Sequence, residues 1–428
     1  MKRALVIGSG AGGATAAKEL QGAFDVTVLE AGGEFHPLSI SLRTLEKLKS
    51  THLLFDERLI HFPFPAMQIR KTPDMVLVNG IGTGGTTAIC CGNGVRMDQD
   101  LRAIGIDLDS EFEEIFREIP ISTAHQKVWR KPTRQLFQIC QEMGLGPVPM
   151  PKMGNFERCK SCGRCMFGCP EGVKWDSRQF LDEAVGKGAE LITGCSVESV
   201  EIEDGRAKGV WAHRGLLHHF YPADLVVLAA GGFATPAILE ESGIPCEPHL
   251  FVDPVLTVAT RWPGSNQCRE IEMPFVVQRP GYILSPYFDF LSFFFNDEWK
   301  YPARDILGIM IKLAESNEGR VTQHGVEKML TDIDKEQLAE AQNVATEILC
   351  RLGAKEEDLF LGTINAGHPG GCLPLTEREA GSLHHERLPR NLYVADASLL
   401  PRSLGNPPIL TIIALAKRVS ALAKQAAL

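Results

Sequence analysis

The sequence predicts an α/β protein in three parts: a Rossmann-like dinucleotide-binding domain, a second domain on a mixed sheet, and a small cysteine-rich insert. Three observations lead there. The chain opens MKRALVIGSGAGGATAAKEL, an apolar strand running into a glycine turn and an Ala-rich helix. Cys159 to Pro170 reads CKSCGRCMFGCP, four cysteines within eleven residues. Residues 246 to 302 have a β-like pattern and hold the aromatic cluster YFDFLSFFF.

Each element follows in order. Ala4 to Ile7 is a short apolar strand, and Gly8-Ser9-Gly10-Ala11-Gly12-Gly13 fits G-x-G-x-x-G before a helix ending near Leu20. The first glycine allows a tight turn, the second lets backbone approach a pyrophosphate, and the third lets helix and strand pack closely. DVTVLEAGG, Asp25 to Gly33, is the next strand, and Glu30 falls seventeen residues after Gly13. An acid there accepts hydrogen bonds from a ribose 2′-OH and disfavours a 2′-phosphate. This unit alone leaves FAD and NAD both open. Residues 110 to 145 read as helical, and a hairpin turns at Asp204-Gly205. DLVVLAAGGFATPAILEESGI is a buried strand, a glycine turn and a helix; residues 334 to 352 form an amphipathic helix. The tail is a strand, a loop and a last helix. Nucleotide-binding elements at both ends predict a discontinuous domain: 1–145, 181–245 and 362–428, with a cysteine insert at 146–180 and a substrate domain at 246–361.

With 428 residues the chain can build two or three cores. Its 44% apolar and 23% charged content suits a globular protein. A net charge of −9 excludes a nucleic-acid partner, which needs a basic surface. No run of 18 apolar residues occurs, so no membrane-spanning helix is expected. The N-terminus enters a strand within three residues, which predicts no signal peptide and a cytoplasmic location. Twelve cysteines in such a chain point to metal binding rather than disulfides, the rest serving as small buried hydrophobes.

Cys159, Cys162, Cys165 and Cys169 follow C-x₂-C-x₂-C-x₃-C-P, the spacing that holds a [4Fe–4S] cluster in bacterial ferredoxins. In two-cluster ferredoxins the fourth cysteine serves the other cube. Only one such run exists here, so either Cys169 folds back or a remote thiol, Cys90, Cys91 or Cys372, completes the set. Zinc is the rival metal, but its sites usually pair two knuckles across a longer spacer. Cys90 and Cys91 themselves read as packing thiols or as a redox, covalent or ligand pair.

The blocks GGTTAICCGN, GGFATPAILEESGI, HPGGC and NLYVADASLLPRSLGNPPILTIIALAKRV occur in one order and spacing. In this the chain resembles the glucose–methanol–choline (GMC) flavoprotein oxidoreductases, most nearly cholesterol oxidase and its bacterial dehydrogenase relatives. The likeness covers roughly residues 1 to 35, 79 to 100, 190 to 245 and 362 to 428. It is weak across 246 to 360, and Gly232 stands where Ser, Thr, Ala or Pro is usual. The resemblance implies an FAD-binding fold of the GMC and p-hydroxybenzoate-hydroxylase type. It implies that Gly8, Gly10, Ala11 and Gly13 hold the pyrophosphate and Glu30 the adenosine ribose. Gly84, Gly85 and Thr87 would lie along the flavin side, Val197 would meet adenine, Asp396 the pyrophosphate–ribityl region, and Asn406-Pro407 the flavin pyrimidine end. His368 in AGHPGGC matches the active-site histidine and Asn406 its partner. A neutral imidazole can take a hydroxyl proton near pH 7, and an amide can donate without titrating.

A flavin takes two electrons as a hydride, whereas a cube passes one at a time. An oxidase returns flavin electrons directly to O₂ and needs no cluster. The pairing therefore predicts a dehydrogenase that oxidises a CH–OH group and relays single electrons to an external carrier, such as ferredoxin or another redox protein. Two alternatives stay open: a reductase of a carbonyl or alkene fed through the cluster, and an electron-transfer subunit. The substrate is expected to be a small-molecule alcohol or ketone. YILSPYFDFLSFFFNDEWKYP reads as a strand and turn of the core, or as an apolar wall for a bulky hydrophobic substrate. The short substrate domain suggests that an oligomer or partner subunit contributes to the pocket.

Overall fold

The structure is a computed structural model that describes residues 1–38, 44, 46, 47, 49, 56–62, 64–322 and 325–427. Its first sheet has five strands in the order Leu392–Val394, Leu225–Leu228, Lys2–Ile7, Phe24–Leu29 and Glu190–Ile192. All four pairings are parallel. A parallel sheet is covered on both faces, which is why LVVL and ALVI are apolar without alternation. Neighbouring strands come from both ends of the chain, so the domain is assembled from distant segments.

Helix Ala11–Leu20 follows the first strand and packs on the C-terminal helix Ile409–Ala427. Its alanines and glycines allow the close approach. Lys417, nearly buried on the last helix, reaches Glu19 (2.8 Å), Glu114 (3.1 Å) and Glu118 (3.2 Å) and ties three helices together. A three-stranded antiparallel sheet, Cys195–Glu203, Arg206–Arg214 and Leu217–Pro222, lies beside this domain. Its first turn is the expected Asp204-Gly205, with φ of +52° and +69°.

The second sheet has nine strands. Its centre is Val255–Arg261, Ile306–Leu313, Tyr282–Pro286 and Phe275–Arg279, all antiparallel. The hairpin Met67–Lys71 and Val76–Gly80, from within the first stretch of chain, joins its edge through Asn365–Ala366. Helix Asp332–Leu352, begun by a Thr331–Asp334 capping box and closed by Gly353 at φ +115°, covers one face. Side chains alternate along these strands. Leu256, Val258, Ile309 and Ile311 share a core with Ala341, Ala345 and Ile348 of that helix. Val255, Met310 and Lys312 line a cavity on the other face.

The aromatic cluster differs from the expected strand and turn. Tyr282–Pro286 is a strand, but Phe290–Phe295 is a helix. Asp289 caps it, accepting from Ser292 N at 3.0 Å and Ser292 Oγ at 2.6 Å. The local capping bond outweighs the β-propensity of the phenylalanines. Among the described residues no helix is long and apolar enough to cross a membrane.

The cysteine insert has little regular structure and is held by side chains instead. The Lys174 ammonium donates to the carbonyls of Thr87 (3.0 Å), Ala88 (2.8 Å), Cys90 (2.9 Å) and Cys165 (3.1 Å). Ser177 Oγ donates to Ser9 O and Gly84 O, both at 3.1 Å. Lys174→Met leaves buried carbonyls unpaired. It is expected to cost about 3 kcal/mol in urea unfolding, while a surface control, Lys187→Met, costs under about 0.5 kcal/mol.

Candidate active site

Ligands of open parallel sheets bind beyond the carboxyl ends of the strands. Here those ends carry Gly8, Glu30, Ala229 and Asp396, and all four line one cleft. Gly8 has φ +95°, and a Cβ there would stand 2.5 Å from Ala229 O. A Cβ on Gly10 meets no protein atom within 4 Å and points into open cleft space. The N-terminus of helix Ala11–Leu20 faces the same space, and so does Arg70, which bonds Asn79 Oδ1 at 2.5 Å and lies over the Phe233 ring. Burial lowers the Arg70 guanidinium from its ordinary value.

Glu30 is almost wholly buried, and both its oxygens are engaged. Oε2 accepts from Ser9 N (3.0 Å) and Ser9 Oγ (2.6 Å), and Oε1 accepts from Gly32 N (2.9 Å) and Gly82 N (3.0 Å). Asp396 behaves alike: Oδ2 accepts from Gly231 N (2.9 Å) and Thr235 Oγ1 (2.6 Å), Oδ1 from Ser398 N (2.9 Å). Each carboxylate thereby shapes a loop at the cleft edge as well as lining it.

A second cavity of about 160 Å³ adjoins the cleft and shares Thr86, Cys90, Gly367, His368 and Ile409 with it. Its walls are mainly apolar, with Met67, Ile89, Phe167, Phe290, Phe294 and Met310 among them. Its polar groups include Asn93, Asp253, Asp289, Lys312, Asn365 and His368. His368 Nδ1 lies 3.3 Å from Asp253 Oδ2, which also accepts from Lys312 Nζ at 2.6 Å; Asp253 Oδ1 accepts from Ser403 Oγ. Burial opposes the Asp253 charge, but Lys312 and His368 outweigh it and hold the carboxyl below its ordinary value. Burial, then the Lys312 charge, lowers His368 below the usual imidazole value. Asp253 sits at φ +56°, held by Glu315 Oε1, which accepts from the Val252 and Asp253 amides. Burial pushes Glu315 up to about 7, against the pull of its partner Lys328.

The cysteine loop forms part of this cavity wall through Met166 and Phe167. Cys165 is buried and Cys159, Cys162 and Cys169 are half-buried. Backbone amides point at three of the sulfurs: Ser161 N to Cys159 Sγ (3.4 Å), Lys174 N to Cys169 Sγ (3.4 Å) and Arg164 N to Cys162. Cys91 lines the cavity beside buried Glu272 and Lys152, and burial raises its thiol well above the ordinary value. Cys90 Sγ donates to Thr87 O at 3.2 Å and accepts from Gly92 N at 3.3 Å.

Residues 3–260 match the family model described as GMC oxidoreductase, and residues 177–419 match that of FAD dependent oxidoreductase. The chain belongs to the GMC oxidoreductase family. It is an FAD-dependent oxidoreductase of that family. An uncharacterised protein of Methanocaldococcus jannaschii is 27% identical over 96% of this chain and 97% of its own length. An uncharacterised GMC-type oxidoreductase of Mycobacterium tuberculosis is 30% identical over 61% of this chain and 42% of its own length. A long-chain-alcohol oxidase of Arabidopsis thaliana is 24% identical over 96% of this chain and 65% of its own length. The crystal structure of pyridoxine 4-oxidase from Mesorbium loti shares the fold, with a TM-score of 0.71 at 14% identity over 98% of this chain and 99% of that one.

The cleft fits the GMC flavin nucleotide. Gly10 leaves room that protein does not fill, and a helix N-terminus and Arg70 supply positive charge where a pyrophosphate needs it. Of the residues that the sequence pointed to, Gly8, Gly10, Ala11, Glu30, Gly85, Thr87, Val197 and Asp396 line the cleft. Gly13 lies behind it, where a Cβ would stand 2.0 Å from Gly8 O. Gly84, at φ +90°, starts the short helix Gly85–Ala88. His368 lines both spaces and Pro407 the cavity. Asn406 is buried outside both linings, its amide donating to Gln278 Oε1 at 3.0 Å. Asp253 and Lys312 were not foreseen. A lysine inside the apolar strand ILGIMIKL was the one available signal.

Two glycine variants separate folding from binding. Gly12→Ala puts Cβ 1.6 Å from Ala395 O and is expected to give insoluble protein. Gly10→Ala is expected to fold, with an unchanged circular dichroism spectrum, and to lose most of its bound flavin.

Proposed function

We propose that this GMC protein is a dehydrogenase of apolar alcohols that holds a [4Fe–4S] cluster at Cys159, Cys162, Cys165 and Cys169 and hands single electrons to an external protein carrier. One observation carries the reading: the cysteine loop and His368 wall the same apolar cavity. The C-x₂-C-x₂-C-x₃-C-P spacing and the amides aimed at three sulfurs fit thiolate ligation of a cluster. The Arabidopsis relative's name speaks for a long-chain alcohol as donor, in keeping with the phenylalanine and methionine lining.

FAD, when bound in the cleft, supplies the hydride acceptor, and the cluster supplies one-electron transfer. The chain's own residues do the rest. Asp253 can only accept at Nδ1 of His368, so the Nδ1–H tautomer is held and Nε2 is left to take the hydroxyl proton. Lys312 balances the Asp253 charge, and burial together with that ammonium lowers the imidazole from its ordinary value, which favours the neutral ring. Asn93 and Asn365 are the amides that face the cavity. The apolar wall excludes water from the reacting carbon. Around the cysteine loop Arg158, Lys160 and Arg269 are exposed and Arg130 and Arg164 half-exposed, against Glu157 and Glu171. In a chain of net charge −9, this basic rim suits an acidic carrier.

Anaerobically prepared protein is expected to show a flavin band and, once reduced, a low-temperature paramagnetic cluster signal. Cys162→Ser should abolish that signal and reduction of the carrier, while long-chain alcohols still bleach the flavin. Zinc in place of iron, or full carrier reduction by the variant, overturns the reading. In Lys312→Met the cation that depresses the imidazolium is gone. The acid limb of kcat/KM for alcohol oxidation is therefore expected to move to higher pH.

A further inference from the structure

Outside the linings of cleft and cavity, the three-stranded sheet brings three metal-ligand side chains to one point. Glu198 lies on Cys195–Glu203, His213 on Arg206–Arg214 and His218 on Leu217–Pro222. His213 and His218 are register partners, so they stand on the same face. Their Nε2 atoms lie 3.2 Å and 3.1 Å from one oxygen, Glu198 Oε2, and all three ligand atoms lie within 4.8 Å of one another. A tetrahedral ion with bonds of about 2.0–2.1 Å has edges of about 3.3 Å, close to these separations.

We propose that Glu198, His213 and His218 form a surface site for a borderline divalent cation such as zinc. Two imidazoles and one carboxylate suit zinc, nickel or copper, whereas calcium and magnesium demand oxygen ligands. Without metal each Nε2–H donates to Glu198 Oε2, and an entering cation displaces those two protons so that both rings bind through Nε2 with the proton on Nδ1. The side chains are about half exposed, at 50%, 45% and 45%, so solvent completes the coordination. The site is preorganised by more than the backbone. Trp211 stacks on His218 with centroids 4.8 Å apart, and its Nε1 donates to Glu201 at 2.8 Å. The His213 and His218 rings stack at 4.7 Å. One ion here bridges all three strands, next to Val197 on the cleft wall.

The site stands independently of the cluster and is tested with cobalt and zinc chlorides on flavin-loaded, full-length protein. Wild type is expected to bind one cobalt per chain with visible ligand-field bands and no thiolate-to-cobalt charge transfer, which sets it apart from binding at cysteine. Zinc should compete for it and raise Tm. The double variant H213Q/H218Q should lose this equivalent and the Tm rise at unchanged flavin content, and Glu198→Gln should weaken binding at least tenfold. Equal binding by the double variant, thiolate bands on all the bound cobalt, or saturation only above millimolar metal would overturn the proposal.

Discussion

One buried ammonium holds the functional parts together. Taking the Lys174 charge out of water costs several kcal/mol, and the four carbonyl oxygens around it return that through charge-assisted bonds. Three of those oxygens belong to the segment Thr87 to Cys90, which borders both cleft and cavity; the fourth belongs to Cys165. The wall between cleft and cavity and the cysteine loop thus share a single cation. Ser177, three residues on, repeats the arrangement toward Ser9 and Gly84. A loop with almost no regular structure is fixed because its neighbours need it to satisfy their own backbone.

The polar end of the cavity obeys the same logic. A buried pair such as Lys312 and Asp253 adds little net stability, since desolvation cancels most of the attraction. Its value lies in position. Asp253 is held in a left-handed backbone conformation by Glu315, which is in turn held by Lys328. Strain of about 1–3 kcal/mol of this kind persists only where surroundings over-determine it. Here it aims one carboxylate oxygen at both an ammonium and an imidazole, which fixes the tautomer of His368 and keeps it uncharged.

What the sequence made legible is what local physics decides. The glycine turn, the Asp204-Gly205 hairpin and the long helix ending at Gly353 each depend on a few adjacent residues. The parts that escaped it are long-range. Nothing near residues 67 to 80 says that this hairpin pairs with Asn365–Ala366 rather than with the first sheet. FLSFFF reads as a strand until Asp289 is seen to cap it. Asn406 sits in the expected turn, yet Gln278, distant in sequence, claims its amide. Lys312 and Asp253 are 59 residues apart, and only strand pairing makes them a pair.

The same reasoning bears on which inorganic centre suits the cysteine loop. One zinc ion with bonds of about 2.3 Å needs sulfurs about 3.8 Å apart. Among the described residues no three of the four loop cysteines bring their sulfurs within 4.8 Å of one another. A cube spreads its thiolates more widely than an ion does and carries more negative charge than bare thiols. Lys152 and Lys174, both buried, act electrostatically on Cys165, and amides aim at the other three sulfurs. Lys174 is met by its four carbonyl oxygens, whereas Lys152 donates to Cys91 O (3.2 Å), Asn93 Oδ1 (2.5 Å) and Glu272 O (2.6 Å), and burial lowers it from its ordinary value. Glu272, pushed up to about 7 by burial, is a weak counter-charge for both. A cluster held as proposed would place four thiolates beside these two lysines.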